Sequence, residues 1–101
     1  MIELDTEDEF NDFIRDNRIA LIDFFAEWCG PCKQIAPYLE QLSGQYMNVA
    51  FAKVNCDATP ELCSEYSIKS LPTFLFFVDG KIVNTVIGAK REEINKYLSK
   101  L

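Results

Sequence analysis

The chain contains no histidine, and its basic residues are outnumbered: 101 residues include 10 Lys and Arg against 16 Asp and Glu, a net charge of -6. Such an acidic chain lacks the basic surface that binds nucleic acid or an anionic membrane. No apolar run is long enough to span a bilayer. The first residues, Met1 to Asp5, lack the basic and then apolar pattern of a secretory signal. These absences predict a cytoplasmic protein, although removal of a preceding segment stays open as an alternative. A monomer is expected as well.

Repeats, low-complexity tracts and linkers are also missing, so residues 1–101 are expected to form a single domain. Apolar residues make up 49% of the chain, which is enough to build a core. We therefore expect the chain to fold without a metal ion and without a structural disulfide.

The spacing of apolar residues predicts the element order βαβαβαββα. Thr6 and Glu9 are typical of a capping box, and Thr59 of an N-cap. Asp79-Gly80 is typical of a two-residue hairpin turn. This order predicts an α/β fold with a five-stranded mixed sheet between two helix layers. The predicted strands are 2–4, 19–26, 49–56, 73–78 and 81–87; the predicted helices start near 6, 29, 59 and 90, the second kinked at Pro37 and the last including Leu101.

The most informative stretch is Trp28-Cys29-Gly30-Pro31-Cys32, which follows the most apolar run and precedes the second predicted helix. A cysteine at a helix start is easily ionised, because the free N–H groups and the helix dipole favour the thiolate. Cys29 is therefore predicted to face solvent as the nucleophile. Cys32, one turn later, is predicted to be shielded and to resolve the mixed disulfide.

A zinc site with Cys56 and Cys63 is the alternative, although zinc sites usually use more closely spaced pairs.

This pentapeptide is similar to the active-site motif of the thioredoxin family, which the chain resembles from end to end. The resemblance implies a thioredoxin fold with four α-helices and with the last two strands antiparallel to the central one. It implies a general protein-disulfide reductase, an electron carrier in cell redox homeostasis that cycles Cys29 and Cys32 between dithiol and disulfide. The Gly-Pro pair between the cysteines resembles the reducing members of the superfamily.

The resemblance also implies the partners. No cofactor is expected to bind, and NADPH is expected to act indirectly, through a thioredoxin reductase. Oxidised proteins such as peroxiredoxins or reductases are the expected substrates. An oxidoreductase or isomerase of a secretory compartment, and a binding module that works in either redox state, are the alternatives.

A substrate-binding surface is a further implication of the resemblance. Trp28 is read as an exposed docking side chain rather than as core. Pro72 is read as a cis-proline opposite the dithiol, with the backbone of Leu71 pairing with an extended substrate. Ser70 stands where many bacterial members have glycine. The implied surface consists of Trp28, Gly30, Pro31, Leu71, Pro72, Ile87, Gly88 and Ala89.

Asp23 interrupts the apolar strand 19–26, so burial is expected to raise its pKa. It matches the buried aspartate of the family and is predicted to accept a proton from Cys32. Lys53 matches the lysine beside that acid, where it would modulate the titration; a lysine that reaches the sheet edge is the alternative. The alternative that backbone N–H groups satisfy the Asp23 carboxylate fully also stays open.

Cys56 and Cys63 lie outside the motif, and the resemblance assigns them no role. Free buried cysteines are one interpretation. The other is a second, regulatory disulfide, which requires Cα atoms within about 7 Å.

Overall fold

A computed structural model describes residues 1–101 and shows the predicted element order. Predicted and observed boundaries agree within about two residues, and β4 and β5 agree fully. Leu101 lies beyond the last helix but still packs against the core. The strands are β1 Ile2–Glu3, β2 Ile19–Phe25, β3 Ala50–Asn55, β4 Thr73–Val78 and β5 Lys81–Ile87; the helices are α1 Glu7–Asp16, α2 Gly30–Gln45, α3 Pro60–Glu65 and α4 Arg91–Leu98.

The sheet has the strand order β1-β3-β2-β4-β5, with β2 at its centre. β2 runs parallel to β3 and antiparallel to β4. The expectation that β5 is also antiparallel to the central strand is wrong. Asp79 and Gly80 both have positive φ, and this tight hairpin reverses the chain again. β5 therefore runs in the same direction as β2, at the edge of the sheet.

The core is divided by the sheet into two packed layers. On one face α1 and α3 bury Phe10 and Leu62, and on the other α2 and α4 bury Leu39 and Ile94. β2 contributes side chains to both faces and is buried along almost its whole length, as its continuous apolar sequence predicts. None of the helices combines the length and apolar character needed to cross a membrane.

The two threonine caps differ. Thr6 Oγ1 accepts a hydrogen bond from the Glu9 N–H at 3.1 Å, which confirms the predicted N-cap of α1. Thr59 occupies the N-cap position of α3 but makes no side-chain cap bond. Its hydroxyl donates instead to the Asn55 carbonyl at 2.8 Å, because the preceding turn folds back on the end of β3. The predicted N-cap position of Thr59 is therefore confirmed, although its side chain does not make the cap bond.

We expect Thr6→Ala to lower the free energy of unfolding by about 1 kcal/mol, because it leaves an N–H of the first turn of α1 without its acceptor. Denaturant unfolding at neutral pH measures the change. Thr6→Ser keeps the hydroxyl and should remain close to the parent; equal losses in the two variants would show that the cap bond is not the cause.

Candidate active site

The two motif cysteines are placed by the junction between β2 and α2. β2 ends at Phe25, and Cys29 is the N-cap of α2. The Cys32 N–H donates to Cys29 Sγ at 3.2 Å, so the sulfur occupies the place of a capping oxygen. Pro31 lies in the first turn, where a missing N–H costs nothing. Cys29 and Cys32 are joined by a disulfide, with their Cα atoms 5.3 Å apart.

The prediction that Cys29 faces solvent is wrong for this oxidised state. Cys29 and Cys32 are each 4% exposed. The disulfide draws both sulfurs together, and they pack with Ala26 against Phe25 and Leu71. Burial therefore does not distinguish the two sulfurs. What distinguishes the two residues is the hydrogen bond from the first turn of α2, which is made to Cys29 Sγ. A donor in this place stabilises negative charge on a sulfur once the disulfide is reduced.

Trp28 is 71% exposed beside the disulfide, as predicted for a docking side chain. Its Nε1–H donates to Asp57 Oδ2 at 2.8 Å, which fixes the orientation of the ring. Asp57 was not among the sequence-predicted site residues. The strand order could have indicated Asp57. β2 and β3 are parallel neighbours, so the residues that follow Phe25 and Asn55 lie at the same edge of the sheet.

The other two stretches of the implied surface lie together. The Leu71–Pro72 peptide bond is cis, as predicted. The Gly88 N–H donates to the Pro72 carbonyl at 2.8 Å, and Gly88 has a φ of 98°, a conformation that favours glycine. Leu71 packs both against the disulfide group and against the α1/α3 layer. Its own N–H and C=O make no hydrogen bond within the chain, so both are available to an extended partner.

The remaining surface residues are open to solvent. Ile87, paired with Thr73 at the end of β5, is 55% exposed. Gly30, Pro31 and Ala89 are exposed as well. The side chains of Trp28 and Ile87 and the free backbone of Leu71 thus give the region around the disulfide an apolar face with unpaired backbone groups.

Asp23 lies inside the sheet, 5% exposed, and its Oδ1 has no hydrogen-bond partner. The interpretation of a satisfied structural aspartate is therefore wrong. Burial raises the pKa of Asp23 from its ordinary value of 3.8 to about 7, and the positive charge of Lys53 partly offsets the rise. A cavity of about 470 Å³ has both Asp23 and Cys32 in its lining. An acid that is half ionised near neutral pH thus shares a cavity with the second cysteine.

Lys53 is the register neighbour of Asp23 on β3 and lines the same cavity. Its Nζ lies 5.3 Å from the centre of the Phe25 ring, a distance typical of a cation–π contact. The structure therefore places Lys53 beside the acid, as the sequence-based expectation had it, rather than out at the sheet edge.

Cys56 and Cys63 form a second disulfide, with Cα atoms 5.7 Å apart. The interpretation as free cysteines is therefore wrong, and the alternative of a disulfide between them is confirmed. The cause is local: the turn after β3 leads directly into α3, which brings residue 63 back over residue 56. The expectation that the chain folds without a structural disulfide stays a prediction.

Comparison with known proteins agrees with this geometry. The sequence model of the family described as Thioredoxin matches residues 1–100. The chain is 43% identical over 93 residues to thioredoxin from Chlamydia caviae, covering 92% of this chain and 90% of that protein. It spans about half the length of a longer fungal relative.

Solved structures give the same result. Plasmodium falciparum thioredoxin superposes with a TM-score of 0.96 at 37% identity, covering 99% of this chain and 98% of that one. A chain from a structure of the thiol-resolving mechanism of a yeast mitochondrial 1-Cys peroxiredoxin has a TM-score of 0.96 at 34% identity, with coverages of 100% and 95%. The expected five-stranded fold with four helices is confirmed.

Asp23→Asn should stabilise the oxidised protein at neutral pH. The folded-state pKa is raised, so the stability contributed by the neutral acid is complete below about pH 4 and is lost as the pH rises through about 7. The pKa of Asp23 in the folded protein lies about three units above its ordinary value, and each unit corresponds to about 1.4 kcal/mol. The maximum gain in the free energy of unfolding is therefore roughly 4 kcal/mol, reached above pH 7. Denaturant unfolding between pH 4 and 8 measures the gain, which should shrink towards pH 4. Asp5→Asn, at an exposed carboxylate, is the matched control; a gain independent of pH would contradict the assignment.

Lys53→Gln should raise the pKa of Asp23 above about 7, because the lysine charge is what lowers it. Titration of the Asp23 carboxyl carbon by NMR in the oxidised protein gives the value directly. Lys100→Gln removes an equal charge at an exposed position near the C-terminus and should leave the curve in place. An unchanged curve in Lys53→Gln would show that the two groups are not coupled.

Proposed function

Because the chain belongs to the thioredoxin family and carries its redox-active cysteine pair, we propose that it is a general protein-disulfide reductase. Protein-disulfide oxidoreductase activity follows from family membership; reduction is the direction that we propose. The observation that carries the proposal is the placement of Cys29 at the start of α2, with its sulfur accepting the Cys32 N–H. The Gly-Pro pair between the cysteines also supports reduction as the direction of the reaction.

In the first step the Cys29 thiolate attacks one sulfur of a substrate disulfide. A Cys29–substrate mixed disulfide forms, and the other substrate sulfur leaves as a thiolate that takes a proton. The Cys32 N–H and the positive end of the α2 dipole stabilise the attacking thiolate, since both act on Cys29 Sγ.

In the second step Cys32 resolves the mixed disulfide. Ionised Asp23 accepts the Cys32 proton through the cavity that both residues line. The Cys32 thiolate attacks Cys29 Sγ and releases the second substrate sulfur. The substrate has gained two electrons, and the chain is left with the Cys29–Cys32 disulfide that the structure shows. A pKa of about 7 suits Asp23 to this transfer, because the acid is then available in both forms near neutral pH.

Substrate binding uses the surface around the disulfide. An extended segment of the oxidised protein pairs with the free N–H and C=O of Leu71, as an added strand does. Trp28 and Ile87 contact its side chains on either side. This contact requires few particular side chains on the substrate, which supports a general rather than a selective reductase.

The disulfide is recharged by a thioredoxin reductase that draws on NADPH, so the chain itself binds no cofactor. Peroxiredoxins are among the proposed substrates, supported by the similarity to a chain in the yeast peroxiredoxin study. We place the reaction in the cytoplasm, as part of cell redox homeostasis, because a reductase needs a compartment that keeps thiols reduced.

Trapping variants test the order of the two cysteines. Cys32→Ser should still attack an oxidised protein and accumulate a mixed disulfide at Cys29, because the resolving thiol is missing. Cys29→Ser should form no adduct, and turnover should fall to background in both. Non-reducing electrophoresis with peptide mapping identifies the linkage; a stable adduct of Cys29→Ser through Cys32 would reverse the assignment.

A variant with both substitutions separates the enzyme from a binding module. If the biological role is reduction, Cys29→Ser/Cys32→Ser should fail to complement loss of the protein in its own cells, although it still folds. Complementation by this variant would contradict the proposed function.

A further inference from the structure

The second disulfide closes a short loop next to the active site. Cys56 follows β3, Cys63 lies in α3, and the loop between them contains Asp57. Asp57 accepts the hydrogen bond from Trp28, and the Cys56 N–H donates to the Phe25 carbonyl at 2.9 Å. This disulfide therefore braces the turn that orients the exposed tryptophan beside Cys29.

The two cysteines of this disulfide differ in exposure. Cys63 is 5% exposed and packs in the α1/α3 layer beside Leu62. Cys56 is partly exposed, and Asp57 and Ala58 after it are open to solvent. Attack from solvent is therefore expected at Cys56, the more exposed residue of the pair, rather than at Cys63.

We propose that Cys56–Cys63 is a second redox site: a protein dithiol reduces it by attack at Cys56, and its oxidised form holds Asp57 against Trp28. The reduced Cys29–Cys32 pair of a second copy of this chain is a dithiol of the required class. Where a second copy of this chain is the donor, the inference rests on the proposed reductase activity.

The exchange is balanced. The first thiolate of the donor attacks Cys56 Sγ, the Cys56–Cys63 bond breaks, and the electron pair leaves on Cys63 Sγ. The second donor thiolate attacks the first donor sulfur and releases Cys56 as a thiolate. The donor is oxidised to a disulfide, Cys56 and Cys63 are reduced to thiols, and the two protons of the donor dithiol pass to them.

The exchange has a predicted salt dependence. Each copy carries a net charge of -6, and Asp57 and Glu61 are exposed beside the attacked sulfur. Two acidic copies repel each other, and salt screens the repulsion. The rate between copies should therefore rise with ionic strength.

The first experiment mixes two variants of the full chain. The donor is reduced Cys56→Ser/Cys63→Ser, and the acceptor is oxidised Cys29→Ser/Cys32→Ser. Alkylation followed by mass spectrometry should show two new thiols on the acceptor, at 56 and 63, and the loss of two on the donor. With a donor that also carries Cys32→Ser, the trapped linkage should join Cys29 to Cys56.

Each other outcome overturns the inference. An adduct at Cys63 contradicts the order of attack, and reduction that occurs only in denaturant shows an inert structural disulfide. The donor is assayed in parallel on an unrelated oxidised protein. A donor that reduces that protein but not the acceptor refutes the second redox site alone, whereas a donor that reduces neither refutes the proposed function.

The second experiment uses Trp28, the only tryptophan in the chain. In Cys29→Ser/Cys32→Ser, reduction of Cys56–Cys63 should change the Trp28 fluorescence, because the turn that carries Asp57 loses its brace. With Asp57→Ala added, reduction should leave the fluorescence unchanged. An equal change in both variants, or no change in the first, contradicts the link between Cys56–Cys63 and Trp28.

Discussion

The burial of β2 on both faces is the constraint on which the rest of the structure depends. A strand covered by helices on each side has to be apolar, and Ile19–Phe25 is apolar apart from Asp23. The strand fixes the point at which the chain leaves the sheet, and so where Cys29 begins α2. The same burial leaves Asp23 Oδ1 without a hydrogen-bond partner. The position of the redox pair and the burial of its proposed proton acceptor therefore follow from one packing requirement.

Stability and chemistry conflict at Asp23. A neutral side chain of the same shape would suit this interior better, yet it could not accept the Cys32 proton, which is the role that we propose for Asp23. Lys53 limits the conflict, because its charge favours the ionised acid without forming a direct ion pair with it. The cavity that Asp23 and Cys32 share leaves space for the proposed proton transfer, which close packing would otherwise remove.

The sequence predicted the features that depend on local pattern. Apolar spacing and turn residues gave the element order, and the motif gave the position of the disulfide at the start of α2. The features it missed depend on the path of the chain in space. The direction of β5, the burial of Cys29 and the contact between Asp57 and Trp28 depend on which parts of the chain meet in space, and the spacing of apolar residues does not specify that. The sequence left the pairing of Cys56 with Cys63 open for the same reason, because it does not give the distance between them. The cis bond at Pro72 was predicted only because the family pattern supplied it.

Leu71 tolerates fewer substitutions than its partial exposure indicates. Its side chain contacts two packing groups at once, the small one around Cys29 and the larger one that contains Cys63. A larger or differently branched residue would have to fit both, and dense interiors tolerate such changes poorly. Engineering a new substrate preference at this position would therefore require compensating substitutions under α3, well away from the surface being redesigned.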